Sequence, residues 1–154
     1  MSGTPASRTL TEHDIPALCD LMRQEPPGYL RDFFPFSGDE DFLASVRDAK
    51  RDVYIALSLG DELAGFAMLR GMDAGYERPS FGVYVSSGQA GRGLARFGLD
   101  RALETAHRIG ASEVMLKVAP GNARARSIYD AAGFRLSGQC ERTGHDVMIR
   151  KGTP

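Results

Sequence analysis

Neither sign of charge is in excess in this chain, and long apolar runs are missing. Lys and Arg number 19 against 20 Asp and Glu, whereas a general nucleic-acid binder carries a basic excess or patch. The longest apolar run, residues 53–57, is far shorter than the roughly 20 residues of a membrane-spanning helix. Residues 1–5 have neither the basic nor the apolar region of a secretion signal. We therefore expect no nucleic-acid partner, no membrane partner and a cytoplasmic location.

Cysteine is also scarce, with only Cys19 and Cys140 in the chain. Two cysteines do not make a disulfide framework, and their spacing is not that of metal ligands. No metal site is therefore expected. Cys19 falls on the apolar face of a predicted helix, which favours a buried, inert thiol. The remaining composition is that of an ordinary globular protein, and 154 residues fit one domain over residues 1–154.

Hydrophobic periodicity predicts helices and strands along most of the chain. Strands are expected at 7–10, 53–59, 63–69, 81–85, 114–118, 134–140 and 147–151. Helices are expected at 15–24, at 39–49, from 94 to the stop at Gly110, and from the cap at Asn122 to the stop at Gly133. The β-α-β unit in the middle joins parallel neighbours, and the flanking hairpins are antiparallel. The sequence thus predicts an α+β fold with a mixed sheet of about six or seven strands and about four helices, with residues 1–6 frayed.

Three glycines lie within residues 88–93, between a predicted strand and a predicted helix. Such a turn exposes backbone N–H groups where the helix dipole favours an anion. The P-loop pattern fails, because Leu94-Ala95 stands where it requires lysine and a hydroxyl residue. The dinucleotide pattern fails, because Arg96 replaces its last glycine. The turn therefore indicates a phosphate site of another kind, or a turn without a ligand.

In register, this turn reads Ala90-Gly91-Arg92-Gly93-Leu94-Ala95. It resembles motif A of the GCN5-related N-acetyltransferase (GNAT) superfamily, where a strand is followed by Arg/Gln-x-x-Gly-x-Gly/Ala and a helix. Gly93 and Ala95 match this pattern. Ala90 departs from it, since the family favours Arg or Gln there, and Gln89 lies one place early.

Residues 122–134 resemble motif B of the same superfamily, which has Asn, then Ala three positions on, an aliphatic-Tyr pair and Gly-Phe. The matching residues are Asn122, Ala125, Ile128, Tyr129, Gly133 and Phe134. The segment also follows the first motif at the expected distance, with one strand between them. By motif the resemblance covers about the last half of the chain, and the earlier elements agree in their order.

The resemblance implies transfer of an acetyl group from acetyl-CoA to a primary amine, by direct attack in a ternary complex. The cofactor would lie where the strand at 81–85 splays from the strand at 114–118. The turn would hold its pyrophosphate, and the strand backbone would bond the pantetheine and polarise the thioester carbonyl. The implied cofactor-binding residues are Val83, Tyr84, Val85, Gly91, Arg92, Gly93, Leu94, Ala95, Arg96, Asn122 and Tyr129. As alternatives, the two arginines are solvated and Asn122 is only a helix cap.

Tyr129 is the implied general acid, which would protonate the leaving thiolate; the alternative is a tyrosine packed in the core. The attacking amine must be neutral, so a base or a water chain is also needed. The superfamily's peptide N-terminal acetyltransferases carry Glu five residues ahead of the motif B asparagine. Lys117 stands there, which argues against that subgroup. Glu77 is our candidate base, with Asp73 and Tyr84 as alternatives.

In relatives, the segment joining the first two helices forms part of the acceptor pocket. Here Tyr29, Phe33 and Phe34 would wall that pocket, or the phenylalanines would pin the segment onto the core. Asp32 and Asp39 would attract an ammonium group. We expect a small-molecule amine, because no extended charged track for a protein substrate is visible. A lysine side chain, a peptide N-terminus, and a module that binds CoA without turnover stay open, as does the oligomeric state, a homodimer included.

Overall fold

One mixed sheet contains all the strands in the computed structural model, which describes residues 3–31, 33 and 35–152. The strands are β1 (Pro5–Thr9), β2 (Val53–Leu59), β3 (Glu62–Arg70), β4 (Ser80–Val85), β5 (Glu113–Val118), β6 (Arg135–Gln139) and β7 (Asp146–Lys151). Their order is β1-β2-β3-β4-β5-β7-β6. Only β4 and β5 are parallel among these neighbours. The predicted mixed sheet is thereby confirmed.

Helices cover both faces of the sheet. They are α1 (Ile15–Arg23), α2 (Asp39–Arg47), α3 (Leu94–Arg108) and α4 (Ala123–Ala131). The first two pack on one face, where Leu18 and Phe42 meet Phe66 of β3 in one buried cluster. The other two pack on the opposite face, where Leu99 of α3 meets Leu116 of β5 in a second cluster. None of the helices in the described part of the chain is long and apolar enough to span a membrane.

Alternation along β4 connects these two cores. Successive side chains of a strand point to opposite faces, so Phe81 belongs to the core under α3 and α4. Tyr84 belongs to the core under α1 and α2. β4 therefore lies between the two helical layers.

The amino-terminal segment is more ordered than its composition suggests. Pro5 and Ala6, which we expected to be frayed, belong to β1 and pair with Leu59 and Ser58 of β2. β1 also begins two residues earlier than the predicted strand at 7–10. Pairing with β2 makes these residues a strand. Their small, polar side chains have little strand propensity of their own, so the sequence does not indicate it. Met1 and Ser2 lie outside the described residues.

Candidate active site

The two parallel strands diverge soon after they meet. Within the described residues, β4 and β5 share one residue pair, Ser80 with Met115, and the Met115 N–H donates to the Pro79 carbonyl at 3.0 Å. On its other side β4 pairs with β3 along its whole length, to Val85 opposite Gly65. The second half of β4 therefore has one edge without a strand partner among the described residues, as the splay implied by the family resemblance requires.

Backbone groups of Val83 and Val85 point to this free edge. The Ser86 N–H donates to Ala64 of β3 at 2.8 Å, and backbone groups alternate in direction along a strand. The backbone N–H and carbonyl of Tyr84 therefore also face β3, whereas those of Val83 and Val85 face away from it. The Tyr29 hydroxyl donates to the Val85 carbonyl at 2.6 Å from that side. Free backbone donors and acceptors of this kind can bond the amides of an extended ligand.

Tyr84 thus differs from its expected role. We predicted its backbone in the cofactor-binding set, but those groups are turned toward β3. Its hydroxyl donates to the Glu25 carboxylate at 2.5 Å. Burial, followed by this bond and the charge of Glu25, raises the pKa of Tyr84. A phenol that is already a donor and resists ionisation is not a general base.

The glycine turn has the geometry of an anion site. Gly91 and Gly93 have φ of 82° and 79°, a region that side chains other than glycine rarely adopt. Gly93 is the N-cap of α3. The Phe97 N–H donates to the Gly93 carbonyl at 3.0 Å, as the first hydrogen bond of the helix. The N–H groups of Leu94, Ala95 and Arg96 precede this bond and have no partner inside the helix.

Three arginines, at positions 92, 96 and 124, lie near the turn. Arg96 forms an ion pair with Asp100 at 3.1 Å on the surface of α3, and Arg92 is exposed. Arg124, in the first turn of α4, instead reaches the turn. Its Nη2 lies 3.5 Å from the position that a Cβ on Gly91 would take. Sequence reasoning missed Arg124, although its place two residues after the Asn122 cap puts it at a helix start.

Tyr129 lies between α4 and the sheet. Its ring packs edge-on against Phe81 and Phe134, with centroids 6.3 and 6.0 Å away. No described residue forms a hydrogen bond with its hydroxyl. Burial raises the pKa of the Tyr129 phenol to about 12. At neutral pH this group is protonated and has its proton to donate.

Asn122 caps α4, as its position predicts. Its side-chain oxygen accepts a hydrogen bond from the Ala125 N–H at 3.2 Å. The cap uses only the oxygen of the amide, and the NH₂ group retains its donors. A cap and a ligand contact are therefore compatible at this residue.

Glu25 is the second residue that sequence reasoning missed. It follows the end of α1, and its carboxylate accepts hydrogen bonds from Tyr84 and from the Ser87 N–H, the latter at 3.1 Å. Burial, with the nearby charge of Glu25, raises the pKa of Tyr29. A carboxylate thus lies where β4 ends. No motif contains Glu25, so only the packing of α1 on the sheet reveals it.

The structure does not bring Glu77 to this place. It is exposed, three residues before β4 begins, and lines a groove with Lys50, Arg51 and Ile109. From Ser80 to Val85, β4 spans about 17 Å at the usual rise per residue, and Glu77 lies beyond the Ser80 end. Asp73 accepts hydrogen bonds from the backbone N–H groups of residues 50–52 and stabilises that turn.

The predicted acceptor residues are placed in different ways. Tyr29 is 42% exposed at the end of β4. Phe33 packs on Phe66 and Tyr84, with ring centroids 5.9 and 6.2 Å apart, so it pins the segment to the core. Asp39 is paired with Arg23 at 2.6 Å. Phe34 and Asp32 lie outside the described residues.

Cys19 is buried, and the described residues hold no cluster of metal ligands. Over residues 3–31, 33 and 35–152, no group of three or more His, Cys, Asp and Glu could hold a metal ion. Cys19 is 4% exposed, and burial raises the pKa of its thiol to about 11. It is the inert, buried cysteine that its helical position predicts.

Comparison with known proteins agrees with this geometry. The model of the acetyltransferase (GNAT) family matches residues 15–134. The fold is similar to PaiA N-acetyltransferase of Thermoplasma acidophilum, in complex with coenzyme A, with 15% identity, TM-score 0.79 and coverage of 96% of this chain and 99% of that one. It is also similar to YncA, a putative acetyltransferase of Salmonella typhimurium with acetyl-CoA, with 17% identity, TM-score 0.76 and coverage of 97% and 94%.

A third similar structure is a chimera of the Vibrio cholerae spermidine N-acetyltransferase SpeG with hSSAT, with 18% identity, TM-score 0.78 and coverage of 97% and 96%. No curated protein matches the chain. At these identities the solved structures show a shared fold, while the family model spans both glycine turn and Asn122 segment. This protein therefore belongs to the acetyltransferase (GNAT) family.

Proposed function

We propose that this protein transfers the acetyl group of acetyl-CoA to a primary amine of a small molecule in the cytoplasm, by direct attack in a ternary complex. The observation that carries the proposal is the free edge of β4. It leads into the turn at Gly93, and the Tyr129 ring packs against Phe81 of the same strand. Two proteins of the same fold were solved with coenzyme A or acetyl-CoA, which supports the choice of cofactor.

The residues of this chain suit the three parts of that cofactor. Backbone N–H groups after Gly93 suit the pyrophosphate, with Arg124 adding positive charge. Backbone groups of Val83 and Val85 suit the pantetheine amides, and one of these N–H groups would stabilise an oxyanion at the thioester. Asn122 keeps its amide donors for the pantetheine arm. Glu77 lies far from these groups, so we no longer favour it as the base.

The chemistry balances as one amide formed and one thiol released. An acceptor ammonium first loses a proton to solvent, and its nitrogen attacks the carbonyl carbon. The C–N bond forms and the C–S bond breaks, while the thiolate takes the Tyr129 proton. Tyr129 regains a proton through water from the acylated nitrogen. With a pKa raised to about 12, Tyr129 remains a proton donor throughout the neutral range.

Replacing the proposed proton donor tests this mechanism. Tyr129→Phe should lower kcat by about 100-fold, and leave the melting-temperature shift produced by CoA unchanged. Thiol release from acetyl-CoA across a panel of amines gives the rate. Tyr76→Phe is the matched control, because Tyr76 is 68% exposed and lies in the loop that precedes β4, at the opposite end of that strand from Val85. An unchanged kcat in Tyr129→Phe would show that another group donates the proton.

A ligand panel separates this function from its alternatives. Acetyl-CoA and CoA should raise the melting temperature, by an amount that corresponds to about 2.7 kcal/mol at 100 times the dissociation constant. Stabilisation by ATP or NAD, without stabilisation by CoA, would contradict the cofactor. Stabilisation by CoA with no thiol release from any amine would indicate a binding module. The panel includes a lysine peptide and a peptide with a free N-terminus, so preferential turnover of either would move the acceptor from small molecules to proteins.

A further inference from the structure

Among the described residues, the donors that hold the Glu25 carboxylate are neutral. The Tyr84 hydroxyl and the Ser87 N–H both donate to it, and no described Lys, Arg or His forms an ion pair with it. Its side chain is partly buried. A carboxylate has about four acceptor positions, so two donors leave capacity for a third. A partly buried carboxylate without an ion-paired cation is a favourable site for one.

The Glu25 carboxylate lies at the end of β4. Its two donors come from the last residues of β4 and from Ser87, just beyond them. The neighbouring Tyr29 bonds the Val85 carbonyl, on the edge that faces the cleft. The Tyr29 ring is also exposed there, and aromatic faces attract cations. Anion and ring thus lie together where the free edge of β4 ends.

We propose that Glu25 binds the ammonium group of the acceptor, and that the acceptor is a primary alkylamine rather than an arylamine or an alcohol. Alkylamines are cations at neutral pH, whereas arylamines and alcohols are neutral. The inference rests on the proposed function, because it places the acceptor beside the edge that holds the thioester. Glu25 acts here in binding, and the proton that the ammonium releases goes to solvent.

A pair of ligands of nearly equal shape tests the charge preference. Benzylamine and benzyl alcohol are titrated into the protein in the presence of saturating CoA, and their dissociation constants are measured by calorimetry. The wild type should bind the amine about tenfold more tightly or better, since a charged hydrogen bond contributes about 1.5–3 kcal/mol. Glu25→Gln should remove that difference. Glu12→Gln is the matched control, because Glu12 is exposed just before α1, at the opposite end of that helix from Glu25.

Steady-state kinetics supplies the second readout. Glu25→Gln should raise the KM for benzylamine about tenfold or more, with the KM for acetyl-CoA unchanged. An unchanged amine KM, or a wild type that binds both ligands equally, would overturn the proposal. Tyr84→Phe removes one of the two donors that orient the carboxylate and should raise the amine KM by a smaller factor; it serves as the second variant if Glu25→Gln does not fold.

The outcomes for the two proposals are distinguishable. Failure of the wild type to release thiol with every amine would contradict the acetyltransferase function, while the calorimetric comparison would still decide whether Glu25 binds an ammonium. Normal turnover together with an unaffected Glu25→Gln would retain the function and refute the role of Glu25. The CoA-induced shift in melting temperature, measured on each variant, verifies folding and the cofactor site.

Discussion

At the scale of single residues, two glycines on facing strands differ in how much room a side chain has. A Cβ on Gly65 of β3 would lie 2.0 Å from the Tyr84 backbone oxygen. One on Gly82 of β4 would contact the flexible Met68 side chain, whose terminal methyl would lie 2.5 Å away. Gly65→Ala should therefore destabilise the protein by about 2 kcal/mol or more, and Gly82→Ala by less than about 1 kcal/mol. Urea denaturation of both variants measures this. Equal losses would show that β3 can move away from β4.

Asp14 links stability to pH. Its carboxylate pairs with Arg8 at 2.8 Å and accepts the Thr11 N–H at 2.9 Å, and the hydrogen bond from Arg8, opposed by burial, lowers its pKa below 3.8. A lowered pKa in the folded state gives stability that is present above about 3.8 and lost as the pH falls through the folded value. Asp14→Asn should cost about 1 kcal/mol at pH 7, because it removes the ion pair with Arg8.

That cost should diminish as the pH falls below about 3.8, because the Asp14 carboxylate takes up a proton first in the unfolded state and, at lower pH, in the folded state. Denaturant unfolding of wild type and Asp14→Asn at pH 7 and pH 3 gives the comparison. A difference that stays constant between the two pH values would mean that Asp14 acts through packing, with no contribution from its charge.

At the scale of elements, the start of α3 depends on a left-handed residue. Gly93 has φ of 79° as the N-cap, and an alanine there would be strained by about 1–2 kcal/mol. Gly93→Ala should lower the melting temperature and weaken CoA binding, because the N–H groups of the turn shift together. Gly88→Ala is the control, since a Cβ at Gly88 has nothing within 4 Å and its φ is not positive. Similar CoA affinity in both variants would contradict a phosphate role for this turn.

The elements that carry their own signals could be predicted from the sequence. Gly110 and Gly133 end α3 and α4 with positive φ, and Asn122 forms the cap that its residue type favours. The glycine turn could be located because glycine alone tolerates its backbone. In each case the cause lies within a few residues of the effect.

Contacts between distant segments could not be predicted in this way. Glu25 and Tyr84 are 59 positions apart, and their bond depends on how α1 packs on the sheet. Arg124 reaches Gly91 from another helix. The insertion of β7 between β5 and β6 likewise follows from burial of the whole sheet. The sequences of β6 and β7 do not indicate which of the two pairs with β5.

At the scale of the whole molecule, the divergence of β4 from β5 should be visible in amide exchange. The N–H groups of Tyr84 and Ser86 face β3, and those of Val83 and Val85 face the open edge. In the free protein, exchange measured by NMR should alternate along β4, with Val83 and Val85 the faster pair. Added CoA should slow this pair selectively. Uniform protection along β4 before CoA is added would show that the edge is closed in solution.

The single residue pair between β4 and β5 also makes the molecule divisible. Residues 5–85 build one half of the sheet and residues 113–151 the other, with α3 between them along the chain. A chain severed at the exposed Gly110, just before β5, would leave two fragments, each with its own strand ladder intact. Their reassembly would depend on side-chain packing under α3 and on a ligand that bonds both fragments. The cofactor would then act as the reporter of complementation, much as a bound substrate reports a split enzyme.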